Sequence, residues 1–134
     1  MEKEFVPRKL AYKLQLLGFN EPCIAWYYGE DLWMVDQKES EPINYKQNPI
    51  RGGNGILAPT FSQAFRWFRE KCKDIKFKIQ PSDVRDGLYN FFDYEISIFE
   101  NKIRVKSFSA GGYESNEEAE LATLNKLIEI CKNK

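Results

Sequence analysis

The chain contains no histidine. That absence removes the one side chain whose charge changes near neutral pH, and with it Ser-His and Cys-His dyads and the commonest metal ligand. Cysteine is scarce too. Cys23, Cys72 and Cys131 are far apart and form no CxxC pair, so neither a zinc motif nor a disulfide framework is expected. Cys72 and Cys131 fall within apolar helical patterns and read as reduced, buried, small hydrophobes. Cys23 as a nucleophile would need activation by a lysine, and packing is the simpler reading. No apolar run approaches the roughly 20 residues of a membrane-spanning helix. Met1-Glu2-Lys3-Glu4 also lacks the basic start and apolar stretch of a signal peptide. A cytoplasmic location without a membrane partner is the expectation. Net charge is missing as well: 20 Lys+Arg balance 20 Asp+Glu, so no global field draws the chain to nucleic acid, and any electrostatic site must be local.

What is present suffices for a core. With 134 residues, 43% of them hydrophobic and 15% aromatic, residues 1–134 read as one domain that needs no covalent staples. Val6, Leu10, Leu14 and Leu17 recur at helical spacing between Pro7 and Gly18, which predicts a first helix over about Pro7 to Leu17. Cys23 to Tyr28 is aromatic and β-favouring, Gly29-Glu30-Asp31 is turn chemistry, and Leu32 to Val35 resumes the apolar run, as a hairpin would. From Gln37 to Ala58 periodicity is lost among Pro42, Pro49 and the glycines after Arg51; a connection that long is expected to be functional or mobile.

Order returns at Thr60, whose hydroxyl and Gln63 form a capping box. Phe61, Ala64, Phe65, Phe68 and Cys72 then share one helical face, with Trp67 off it. Lys76 to Gln80 alternates as a strand. Phe92, Tyr94, Ile96 and Ile98, then Ile103 and Val105, make an amphipathic hairpin that turns at Glu100-Asn101. Ser115 and Glu118 form a second capping box, ahead of a closing helix carrying Ala119, Leu121, Ala122, Leu124, Leu127, Ile128 and Cys131. The expected fold is α+β: an antiparallel sheet with helices on one face, in the order α-β-β-loop-α-β-β-β-α.

Several clusters invite a chemical reading. Asp83, Asp86, Asp93 and Glu95 are the nearest approach to a carboxylate pair for acid-base work, yet exposed acids in turns and on a sheet's wet face are commoner. Gly52 to Gly55 lacks the Gly-Lys-Ser/Thr ending of a phosphate loop. No catalytic residue, metal site or cofactor is expected. The basic residues Arg66, Arg69, Lys71, Lys73, Lys76 and Lys78 surround only Glu70 and Asp74, and Lys102, Arg104 and Lys106 extend the stripe. A turn at Glu100-Asn101 sets Lys106 opposite Glu95 and Arg104 opposite Ser97, so part of that stripe is expected to be paired. Trp26, Tyr27, Tyr28 and Trp33 exceed what one sheet face can bury, because neighbours along a strand point to opposite sides. Exposed aromatics mark protein contacts or base-stacking platforms.

Three stretches carry a wider likeness: Gly18-Phe19-Asn20-Glu21-Pro22-Cys23, Leu57 to Lys71, and Tyr113-Glu114 with Glu117 to Glu120 and Lys126 to Ile130. In these the chain resembles a family of small uncharacterised proteins of gut bacteria and their phages or prophages. The resemblance implies a mobile-element origin and brings no site residues. From Thr60 to Lys134, the order helix, three strands, helix resembles a double-stranded-RNA-binding domain, and Ser115-Asn116-Glu117-Glu118-Ala119-Glu120 is similar to the start of that domain's last helix. Where that family holds phosphates with lysines, this chain has Asn116, Glu117 and Glu118, the wrong charge for phosphate.

The expected function is a non-enzymatic protein-interaction module of phage or prophage origin, binding another protein through Trp26, Tyr28, Trp33 and Arg51. The alternative is a nucleic-acid-binding accessory protein that uses Arg66, Arg69, Lys73, Lys76 and Lys78. A homodimer through the edge of the Tyr89 to Ser109 hairpin stays open beside both.

Overall fold

The fold was obtained as a computed structural model that describes residues 4–34, 55–81 and 91–132. Proline has no amide hydrogen to donate, so it suits the entry to a helix. Pro7 stands at the N-cap of α1 (Arg8–Leu16), with φ −58°, and accepts the first intrahelical bond from Ala11 at 2.8 Å. Gly18, at φ +101°, ends the helix in the left-handed region. Its amide donates to Gln15 O, and that of Phe19 to Leu14 O, both at 3.0 Å, the paired bonds of a Schellman cap. The helix buries Leu10, Ala11 and Leu14.

Contacts divide the α+β chain into two compact units, Met1–Ala64 and Phe65–Asn133. The first holds α1 and a three-stranded antiparallel sheet of order β2-β1-β3. β1 (Ala25–Tyr28) and β2 (Asp31–Met34) meet through the two-residue turn Gly29-Glu30. Gly29 adopts φ +62° there, as the first central position of a type II′ turn requires. β3 (Gly55–Leu57) lies inside the stretch expected to be a long connection. Its three residues are all buried. Trp26 pairs with Leu57 and Tyr28 with Gly55, so a strand too short to show periodicity is held by the sheet it joins. Residues 37–54 of the expected connection lie outside the described residues.

The boundary between the units falls within α2 (Phe61–Lys71). The second unit continues with β4 (Ile75–Pro81), β5 (Phe92–Glu100), β6 (Ile103–Tyr113) and α3 (Asn116–Lys132). Its sheet is antiparallel, of order β4-β5-β6. Pairing aligns Ile75, Phe77 and Ile79 with Ile98, Ile96 and Tyr94, and these with Lys106, Phe108 and Ala110, so all nine share a face. Both helices cover that face. Phe65 of α2 lies 5.4 Å, ring to ring, from Phe77. α3 packs over all three strands with Ala119, Thr123, Leu124, Leu127 and Ile128 buried, and Lys126 Nζ stands 4.5 Å over the Phe108 ring.

Trp67, off the apolar stripe, is buried as well, edge-on to Phe68 at 5.0 Å. Two expectations need correction here. Leu121, Ile103 and Val105, counted with the core, are exposed. The β5–β6 turn is Asn101-Lys102, one residue later than expected, with φ +52° and +66°, the signs of a type I′ turn. Register then passes from Phe99↔Arg104 to Ile98↔Lys106, leaving Val105 as a bulge. Lys106 therefore faces Ile98 rather than Glu95, and Arg104 faces Phe99 rather than Ser97.

Candidate functional site

Because Trp26 and Trp33 are partners across β1 and β2, their side chains stand on the same face, and Tyr28, two residues along, joins them. Tyr27 points the other way. It is buried, and its hydroxyl donates to Val6 O at 2.8 Å, next to the entry of α1. The question of which rings are covered is thus answered by parity. The Tyr27 face meets the segment leading into α1, while Tyr28 and Trp33 are each 53% exposed and Trp26 is half-buried. Leu57, beside Trp26 on the same face, is fully buried. Asp31 pairs with Tyr28 and places a carboxylate at the edge of the aromatic row. Arg51 lies outside the described residues.

The basic residues Arg66, Arg69, Lys73, Lys76 and Lys78 are all exposed. Several are engaged within the second unit. The Arg69 guanidinium sits 4.8 Å over the Phe77 ring, Lys76 Nζ sits 5.3 Å over Phe99, and Lys78 Nζ lies 3.5 Å from Glu95 Oε2. Glu95 is therefore paired across β4, where register sets it opposite Lys78. An exposed pair of this kind contributes at most about 1 kcal/mol.

Of the carboxylates singled out for acid-base work, Asp83 and Asp86 lie outside the described residues. Asp93 and Glu95 are two apart on β5 and point to one face, but each has its own surroundings: Glu95 meets Lys78, and the Asp93 carboxyl lies where a Cβ on Gly111 would stand. Among the described residues no three of His, Cys, Asp and Glu are grouped as metal ligands. Of the Gly52 to Gly55 stretch only Gly55 is described, and it sits in β3 opposite Tyr28.

Cys23 is buried, and its thiol donates to Glu21 O at 3.4 Å and approaches Gln63 Oε1 at 3.7 Å. Burial, with the nearby Glu21 carboxylate, pushes its pKa up to about 12. A thiol so held stays protonated at neutral pH, the opposite of a nucleophile's requirement. The Gln63 side chain itself donates to Pro22 O at 2.8 Å, while its backbone amide donates to the Thr60 hydroxyl at 3.1 Å. The expected capping box is thus half made, its second limb diverted to hold the Pro22-Cys23 segment.

Sequence reasoning missed one juxtaposition. Cys72, just beyond the end of α2, and Cys131, in the last turn of α3, bring their Sγ atoms to 3.3 Å. Both are half-buried rather than buried. The only hint in the sequence was that each cysteine closes the apolar stripe of its helix.

Among the described residues no helix is long and apolar enough to cross a membrane. No family profile matches the chain, and no solved structure matches it significantly. Two proteins of Dictyostelium discoideum show local likeness: probable polyketide synthase 34, 33% identical over 57 residues, and probable polyketide synthase 33, 38% identical over 58. Each likeness covers 42% of this chain and 2% of the synthase, so the chain spans about a fiftieth of the length of the curated relatives it matches.

Proposed function

We propose that the chain is a non-enzymatic protein-interaction module, of the phage or prophage kind that its sequence resembles, and that it binds a partner protein through the Trp26, Tyr28 and Trp33 face. The observation that carries this reading is the register of the first hairpin. It gathers three large rings on one face and leaves Tyr28 and Trp33 each 53% exposed. Tryptophan and tyrosine dominate the energetics of protein interfaces, because a rigid ring buries a large area at small entropic cost. A cross-strand tryptophan pair also stabilises its own hairpin, by about 0.2–1 kcal/mol. That role asks for contact between the rings and does not require half of Trp33 to stay exposed.

The test is capture from a lysate of the native host on the immobilised full chain, with nuclease present and with Trp33→Ala and Tyr28→Ala alongside the parent. Circular dichroism checks that each variant is folded. A protein retained by the parent despite nuclease, and lost from both variants, supports the reading. Retention unchanged by either substitution removes the aromatic face from consideration.

A second reading rests on the exposure of Arg66, Arg69, Lys73, Lys76 and Lys78, and on the α-β-β-β-α order from α2 to α3. It makes the chain a nucleic-acid-binding accessory protein. Glu117 and Glu118 in the first turn of α3 weigh against phosphate there.

A further inference from the structure

A sulfur–sulfur distance of 3.3 Å between two thiols is only slightly more than an ångström longer than the bond of about 2.05 Å that would join them. Cys72 and Cys131 are 59 residues apart, and the fold alone brings them together. Cys72 is fixed on both sides by backbone bonds. Its amide donates to Phe68 O at 2.8 Å, and its carbonyl accepts from the Ile75 amide at 3.0 Å. Cys131 is carried on α3, whose buried Leu124, Leu127 and Ile128 seat the helix over the β4-β5-β6 sheet. The pair is therefore positioned by packed elements at both ends. Partial exposure of both residues gives a small oxidant access that buried Cys23 does not offer.

We infer that Cys72 and Cys131 form an oxidisable dithiol site that takes a low-molecular-weight disulfide as its oxidant and closes into a disulfide clip between the C-terminal ends of α2 and α3. One thiolate attacks a sulfur of the small disulfide, forms a mixed disulfide and expels one small thiolate. The second cysteine thiolate then attacks the protein sulfur of that mixed disulfide and expels the other small thiolate. Two protein thiols are oxidised, one small disulfide is reduced to two thiols, and the protons leave with the released thiols. The clip closes a loop that contains nearly all of the second unit, β4 to α3, so its effect on the unfolded chain is large. A crosslink of this span is expected to raise Tm on the order of 10 °C or more.

The experiment treats the folded 134-residue chain with glutathione disulfide and reads intact mass, peptide map and thermal unfolding before and after a dithiol reductant. Support is a loss of two hydrogens per chain, a crosslinked peptide pair containing Cys72 and Cys131, and a raised Tm that reverses on reduction. Cys72→Ala and Cys131→Ala should each halt at a glutathione adduct on the remaining partner, while Cys23→Ala should behave as the parent. Glutathione adducts persisting on both cysteines of the parent, crosslinks between chains, or no reaction at either residue would overturn the inference. The peptide map of the parent decides the matter even if a variant fails to fold.

Discussion

The thiol of Cys23 carries a pH dependence whose sign follows from its surroundings. Desolvation is the main cause that raises its pKa to about 12, the Glu21 carboxylate adds to it, and the Gln63 amide opposes it. The ordinary value is 9.0. Above it the unfolded chain releases this proton while the folded chain retains it, so stability that is complete below pH 9 is lost as pH rises toward 12. The slope is at most about 1.4 kcal/mol per pH unit. Urea unfolding of the parent and of Cys23→Ala, at pH values on either side of 9, isolates this contribution from that of every other group. The stability advantage of the parent should shrink as pH rises. A constant difference would mean that the thiol is not desolvated in the folded chain. Packing was already the simpler reading of Cys23 from the sequence, but its contact with Gln63, 40 residues along the chain, is visible only in the fold.

At the level of elements, the helices and most strands were legible because each advertises a period and an end. Gly18 closes α1 as its position suggests, and Ser115 Oγ accepts the Glu118 amide at 3.1 Å as its spacing to Glu118 suggests. The return limb of that second box reaches Glu114 N, at 3.2 Å, rather than the Ser115 amide. What was not legible depended on partners. β3 has three residues and exists through pairing with β1. The β5–β6 register turned on which two residues take positive φ, and asparagine accepts either central position while lysine advertises neither. Strand twist favours the I′ geometry, and Lys102 follows at φ +66°. That conformation costs a non-glycine residue about 1–2 kcal/mol. Lys102→Gly should therefore stabilise the fold by on the order of 0.5 kcal/mol, once the greater freedom of glycine in the unfolded chain is deducted. Chemical unfolding would show it as a higher midpoint with an unchanged slope. A lower midpoint would place the turn elsewhere.

Over the whole molecule, 20 positive and 20 negative side chains cancel, so an encounter with a polyanion depends on how the cations are distributed. The candidate run is exposed, but Arg69 and Lys76 rest on aromatic rings and Lys78 on Glu95. Sequence alone could locate this run yet could not see those engagements, since Phe99 and Glu95 reach the lysines only through the β4–β5 register. Were all five residues to neutralise phosphates on duplex DNA, the logarithm of affinity would fall against the logarithm of salt with a slope near −4.5, at about −0.9 per phosphate. If Arg69, Lys76 and Lys78 keep their partners, the slope is no steeper than about −1.8. The balanced charge, the acidic start of α3 and the contacts of Arg69, Lys76 and Lys78 together lead us to expect the shallow value, with no retention of duplex DNA or RNA at physiological salt. Filter binding across a salt series measures it directly. A slope near −4.5 would show that phosphates displace the internal contacts, and the nucleic-acid reading would then replace the aromatic face as the chain's function. A shallow slope leaves Tyr28 and Trp33 as exposed apolar surface without a nucleic-acid explanation, which is what a protein-binding face requires.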